Sequence, residues 1–121
     1  MGVTSDNKVF CQAGTKMAVS GASINTAGRM LTCIYDATAS KLTLFVDRDA
    51  VTTTSNVLYS NVGDKLSLGA RWLGANAPTE AYGGWLDEVN FWQGALTARQ
   101  IDALYNQPRS VVNRTPTRVG P

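Results

Sequence analysis

Residues 82–107 read YGGWLDEVNFWQGALTARQIDALYNQ: the glycine pair Gly83-Gly84, an apolar run interrupted by the adjacent acids Asp87 and Glu88, then a short helical pattern. Thr97 and Gln100 have the spacing of a capping box, and Ile101, Leu104 and Tyr105 share one face of the helix that it opens. Pro108 prevents continuation, so the helix is expected from Thr97 to about Asn106. Before it, Trp85 to Trp92 reads as a strand released from a long turn-rich interval, Leu73 to Gly84, by two glycines.

Outward from that stretch, short alternating runs recur between clusters of glycine, asparagine, aspartate and serine. They are Lys8 to Ala13, Lys16 to Ser20, Met30 to Tyr35, Lys41 to Val46, Ala50 to Thr54 and Lys65 to Trp72. This is the signature of an all-β antiparallel domain. In the last of these runs Leu66, Leu68, Ala70 and Trp72 share a face expected to pack, while YDATASKL and VDRDAV supply turn chemistry for two successive hairpins. Met30 to Val51 therefore reads as a three-stranded meander.

At 121 residues the chain is long enough for one domain with a core of its own. It contains no histidine, which removes serine–histidine and cysteine–histidine catalysis and the commonest transition-metal ligand. Cys11 and Cys33 are too few for a thiolate zinc site; each lies in an apolar run, either as a reduced packing residue or as half of a cross-strand disulfide. The first residues lack the basic start and apolar core of a signal peptide, and no window approaches a membrane span.

Charge is unevenly placed. Arg109, Arg114 and Arg118 lie in a final segment with no acid after Asp102, while the remaining eight bases nearly balance nine acids. Residues 107–121 read as an extended basic arm, at most about 50 Å long, for docking to an acidic surface. Three arginines without interleaved aromatics argue against nucleic acid.

The segments CIYDATASKLTLFVD, LSLGAR and YGGWLDEVNFWQGALTARQIDALYN, in this order, resemble the C-terminal half of a laminin-G-like, concanavalin A-like jelly-roll domain over about residues 30–106. The resemblance implies an antiparallel jelly-roll β-sandwich with one short C-terminal helix. Two motifs depart from the family: Arg29-Met30 stands where it usually has Trp-His, and Asp47-Arg48 where it has Asp-Gly. Only 29 residues precede Met30, so an abbreviated sandwich with an open edge or apolar face, completed by a partner, is expected.

Since the resembling superfamily includes glucanases, the acid pair must be weighed as a sugar-cleaving site. Retaining hydrolysis needs two carboxyl groups about 5 Å apart facing one cleft. Neighbours on a strand point to opposite faces, and the Glu-x-Asp-x-x-Glu pattern of glucanases is absent, so no catalytic residue is assigned. Asp87 shares parity with Val89 and Phe91 and is expected inside as a hydrogen-bond acceptor, with Glu88 in solvent. The resemblance also raises a rim calcium site, for which Asp36, Asp47, Asp49 and Asp64 at strand ends are the candidates, without a compact calcium loop among them. For sugar contact, Trp72, Tyr82 and Trp85 flank a loop containing Asn76 and Glu80.

The expected organisation is a sandwich over residues 1–106 and an arm over 107–121. Its expected role is a non-enzymatic binding or structural module within a larger assembly, by analogy a phage virion decoration or minor capsid protein. It would have a protein partner or form a homo-oligomer, and lie on a virion or extracellular surface. The alternative is a lectin-like module for cell-surface glycan, with calcium as its one candidate cofactor.

Overall fold

The computed structural model describes residues 1–24, 28–59, 67–72, 78–79 and 81–107. Two three-stranded antiparallel sheets face each other. The first orders β1 (Gly2–Val3), β2 (Val9–Ala13) and β3 (Lys16–Val19); the second orders β4 (Leu31–Asp36), β5 (Lys41–Val46) and β6 (Asp49–Thr54). A separate ribbon pairs β7 (Arg71–Trp72) with β8 (Pro78–Thr79), and the helix α1 spans Ala98–Asn106. The Met30–Val51 meander is therefore present, as β4, β5 and the start of β6.

Alternation decides what is buried. Val9, Cys11 and Ala13 point inward from β2, and Leu42 and Leu44 from β5, where they join Ala18 and Val57 in one apolar cluster. Opposite Leu44 and Leu42, Cys33 and Tyr35 of β4 turn to the same interlayer space. Ser20 is the buried polar residue at its margin, and it is satisfied: its Oγ accepts the Val9 N–H at 3.1 Å and donates to the Ala22 carbonyl at 2.8 Å.

A disulfide joins Cys11 to Cys33, with Cα atoms 5.8 Å apart. The cysteines are thus not reduced packing residues, and the bond is not between neighbouring strands: it ties β2 of one sheet to β4 of the other. Inward parity on facing strands is what brings the two together.

The β5–β6 connection turns in two residues, Asp47 and Arg48. Asp47 adopts φ +58°, tolerable for aspartate, and so occupies a place where the family favours Asp-Gly without needing the glycine at the second position. One residue of β6 is extra: Ala50 faces Phe45 and Thr52 faces Leu44, leaving Val51 unpaired in a bulge.

α1 forms as expected. The Thr97 Oγ accepts the Gln100 N–H at 3.3 Å, the Gln100 Oε1 accepts the Thr97 N–H at 2.8 Å, and Ile101 is fully buried. Thr97→Ala removes the cap; helix unfolding followed by circular dichroism should show a loss of about 1 kcal/mol, with a Thr97→Ser variant near the parent.

Two expected strands are corrected. Trp85–Trp92 forms no ladder, because its backbone groups are met locally: Glu88 takes φ +50°, its N–H donates to Asp87 Oδ1 at 2.9 Å, and Asn90 Nδ2 donates to the Glu88 carbonyl at 2.8 Å. Asp87 is accordingly exposed and does not act as an inner-face acceptor for loop amides. In Lys65–Trp72, residues 65–66 lie outside the described residues, and strand begins only at Arg71. Gly69 at φ +74°, with Ser67 Oγ donating to the Ala70 carbonyl at 2.7 Å, bends the chain and leaves Leu68 exposed where a packed side chain was expected.

Candidate functional site

Two surface features bear on function, an aromatic segment and an acidic cleft. The segment begins where the Tyr82 N–H donates to the Gly69 carbonyl at 2.7 Å. The Tyr82 ring folds back over Gly84, where an added Cβ would lie 2.6 Å from the phenol oxygen, so a larger residue there would push the exposed ring aside. Trp85 then stands 98% exposed, followed by exposed Leu86, Val89, Phe91 and Trp92. Six large apolar side chains in eleven residues are thereby presented to solvent, a patch of the kind that marks a binding surface.

Of the residues expected to contact sugar, Tyr82 and Trp85 are together on this segment. Trp72 ends β7 opposite Pro78, while Asn76 and Glu80 lie outside the described residues. Phe91 was expected inside beside Val89, and Leu86 and Trp92, which share the parity of Glu88, were not singled out; no period-two pattern marks the three as one exposed group.

Of the aspartates expected at a rim calcium site, Asp36 lies apart from Asp47 and Asp49. Asp36 begins the β4–β5 turn, where its Oδ1 accepts the Ala39 N–H at 2.9 Å. Asp47 and Asp49 lie at the other end of β5, about 17 Å away along a six-residue strand. Asp64 lies outside the described residues. Both Asp47 oxygens are engaged, Oδ2 by Arg29 Nη1 at 2.6 Å and Oδ1 by the Met30 N–H at 3.1 Å. Among the described residues no three metal-ligating side chains gather in one place. The role visible for Asp36 is turn formation, and for Asp47 anchorage of the entry to β4.

Asp47 and Asp49 do share a cleft of about 260 Å³ with Ser20 to Ile24, Arg29, Val46 and Val51. The β6 bulge is what turns Val51 into it. Its other wall is held by the Ile24 N–H donating to the Asn7 carbonyl at 2.8 Å and the Ser23 hydroxyl donating to the Asp6 carbonyl at 2.7 Å. The Asp6 carboxyl, lowered to about 2 chiefly by the Thr4 hydroxyl and then by Lys8, stays charged through the whole neutral and mildly acidic range. Sequence reasoning missed this cleft because a bulge has no composition signal.

Two facing antiparallel sheets built from hairpins, followed by a capped helix, define a concanavalin A-like β-sandwich. The family model for the concanavalin A-like lectin/glucanases superfamily, of laminin G type, matches residues 1–102, and the chain belongs to that superfamily. Among solved structures, an S-layer domain-containing protein (residues 221–444) from Clostridium thermocellum ATCC 27405 is similar in fold, with a TM-score of 0.57 at 18% identity. The likeness covers 74% of this chain and 45% of that one, so the chain spans less than half the length of the structure that it matches. Comparison with curated proteins gave no match.

Proposed function

We propose that the domain is a non-catalytic binding module that attaches to a larger assembly at an extracellular or cell-envelope surface through its aromatic segment, Tyr82 to Trp92. The observation that carries this reading is the exposure of six large apolar side chains there, too much apolar surface in one place for a module that meets only water. An inter-sheet disulfide suits an oxidising compartment, and the S-layer protein of similar fold is an example of this sandwich in a protein named for a surface layer. A decoration or minor capsid protein of a phage virion is one form of such an assembly, with the basic residues Arg109, Arg114 and Arg118 adding attraction to an acidic partner.

The second reading, a lectin-like module, is favoured by Trp85 and Tyr82, since an exposed indole beside a phenol offers an apolar platform for a sugar face. Trp85→Ala separates the two. It leaves the melting temperature unchanged, because the side chain is 98% exposed. On the assembly reading the parent has a native mass above its chain mass of 12.9 kDa, or co-sediments with its virion or envelope, and the variant loses this. On the lectin reading a monomeric parent binds on a glycan array and the variant does not. A monomer that is blank on the array and sediments alone contradicts both.

A further inference from the structure

The bond between Cys11 and Cys33 has unlike ends. Cys11 lies on β2, the middle strand of its sheet, with no exposed surface, and packs in the apolar cluster with Leu42, Leu44 and Val57. Cys33 lies on β4, an outer strand of the facing sheet, and is exposed at the rim of the interlayer space. The other five residues of β4 are half-buried, so Cys33 is the one position where that strand opens to solvent. The disulfide therefore runs from the surface into the core.

Thiol–disulfide exchange turns that difference into a chemical one. An attacking thiolate approaches one sulfur from the side opposite its partner and displaces the partner as a thiolate. Attack on Cys33 comes from solvent, with the Cys11 sulfur behind it as the leaving group. Attack on Cys11 would carry an anion through the apolar cluster, where nothing replaces its lost hydration. We infer that Cys33 is a capture site for a small external thiol, which becomes joined to its Sγ as a mixed disulfide. The narrow opening between half-buried neighbours suits a thiol of low molecular weight. In this step the incoming sulfur forms the new S–S bond and the Cys11–Cys33 bond breaks. Its electron pair leaves on the Cys11 sulfur, which takes up the proton that the external thiol gave up. The external sulfur is oxidised to the disulfide level as Cys11 is reduced, and no further oxidant is consumed. Burial slows the forward step, because Cys11 must leave as a thiolate. It slows the reverse as well, because Cys11 is then held among apolar side chains as a neutral thiol, a weak nucleophile. Capture is therefore slow and, once made, long-lived. It also severs the covalent tie between the sheets, so one event both marks the surface and loosens the sandwich. The inference stands apart from the attachment proposed for Tyr82 to Trp92, because a small thiol is its only reactant.

Mass spectrometry of the oxidised full chain, incubated with a mixture of glutathione and its disulfide and quenched with acid at intervals, provides the test. The expected first product is heavier by one glutathione, and peptide mapping places the addition on Cys33 with Cys11 as a free thiol. Once isolated, this adduct should melt with the Cys33→Ser variant, since both lack the tie. Single-thiol variants, shown to be folded by circular dichroism, give a second readout. Cys33 in Cys11→Ala should react readily with an aromatic disulfide reagent, whereas Cys11 in Cys33→Ser should react only once denaturant is added. Glutathione found on Cys11 overturns the inference, as does equal reactivity of the two single thiols in folded proteins. So does a parent that stays oxidised, or that passes to the dithiol with no protein–glutathione species at any time.

Discussion

Replacing Cys33 by serine should lower the stability of the domain by about 3 kcal/mol and its melting temperature by roughly 10 °C. The bond removed closes a loop with a sequence separation of 22 and is the covalent tie between the two sheets. Its absence restores conformational freedom to the unfolded chain, and a loop of this length corresponds to about 3 kcal/mol on the chain-entropy account. Position 33 is the right one to change. Cys33 is exposed, so serine meets water there, while Cys11 has no exposed surface and remains as a small buried thiol that packs like an apolar group. Cys11→Ser would instead bury a hydroxyl and confuse two effects. The parent in excess reductant should melt with the Cys33→Ser variant. An oxidised parent and a variant whose melting temperatures agree within about 2 °C would show that packing alone holds the sheets together.

The same pair of cysteines shows what the sequence could and could not convey. Each sits in an alternating run whose strand assignment is upheld, Cys11 fully buried on β2 and Cys33 exposed on β4, the outer strand of its sheet. Which strand faces which depends on how the hairpins stack, and that is a long-range matter invisible to a period-two pattern. Local chemistry was legible wherever a few adjacent residues determine it: the Thr97–Gln100 box, the Asp-rich turns and the Lys41–Val46 strand all appear as read. Trp85–Trp92 was misread because a strand requires a neighbour to receive its hydrogen bonds, and a composition rich in Trp, Phe and Val reports only fitness for a pleated surface. Here Asp87 and Asn90, both able to hydrogen-bond their own backbone, satisfy the chain without a ladder. The candidate site shares this limit. Tyr82 and Trp85 could be singled out as candidates because aromatic residues near a loop are visible in sequence, and both are exposed; the acidic cleft escaped because it depends on an unpaired Val51 and on strand ends far apart in the chain.

That contrast bears on function. The inner face is well determined, with one apolar cluster between two sheets, whereas the aromatic segment is organised by short-range contacts and exposes its large side chains. Elements of this second kind, with few buried apolar contacts, come from the low-stability end of a fold, where binding segments are commonly found. A partner that covers Trp85, Phe91 and Trp92 would add burial of the kind that β2 and β5 already provide for the core.

Leu44→Ala should be the most damaging single change to the described core, destabilising by about 2–5 kcal/mol. Leu44 has no exposed surface, lies in the middle strand of its sheet and is flanked across that sheet by Cys33 and Thr52. Shortening it leaves a cavity in the interlayer space, and the disulfide beside it limits how far the sheets can close to fill the gap. Against a typical total of about 5–15 kcal/mol, a loss of that size takes the domain toward its unfolding threshold at moderate temperature. The control is one residue away. Thr43 points to the opposite face, where its hydroxyl meets that of Thr53 at 3.1 Å, and Thr43→Ala should cost no more than about 1 kcal/mol. Chemical denaturation of both variants tests the register itself, because a slip of one position would exchange the two faces and reverse the order of the losses. Because Leu44 and Cys33 are direct cross-strand partners, their effects should not add. With the disulfide gone the sheets can relax around the smaller side chain, so the double variant Cys33→Ser/Leu44→Ala should lose less than the two single losses combined. Strict additivity would mean that the layers do not respond to the cavity, and that the disulfide does not restrain the spacing between them.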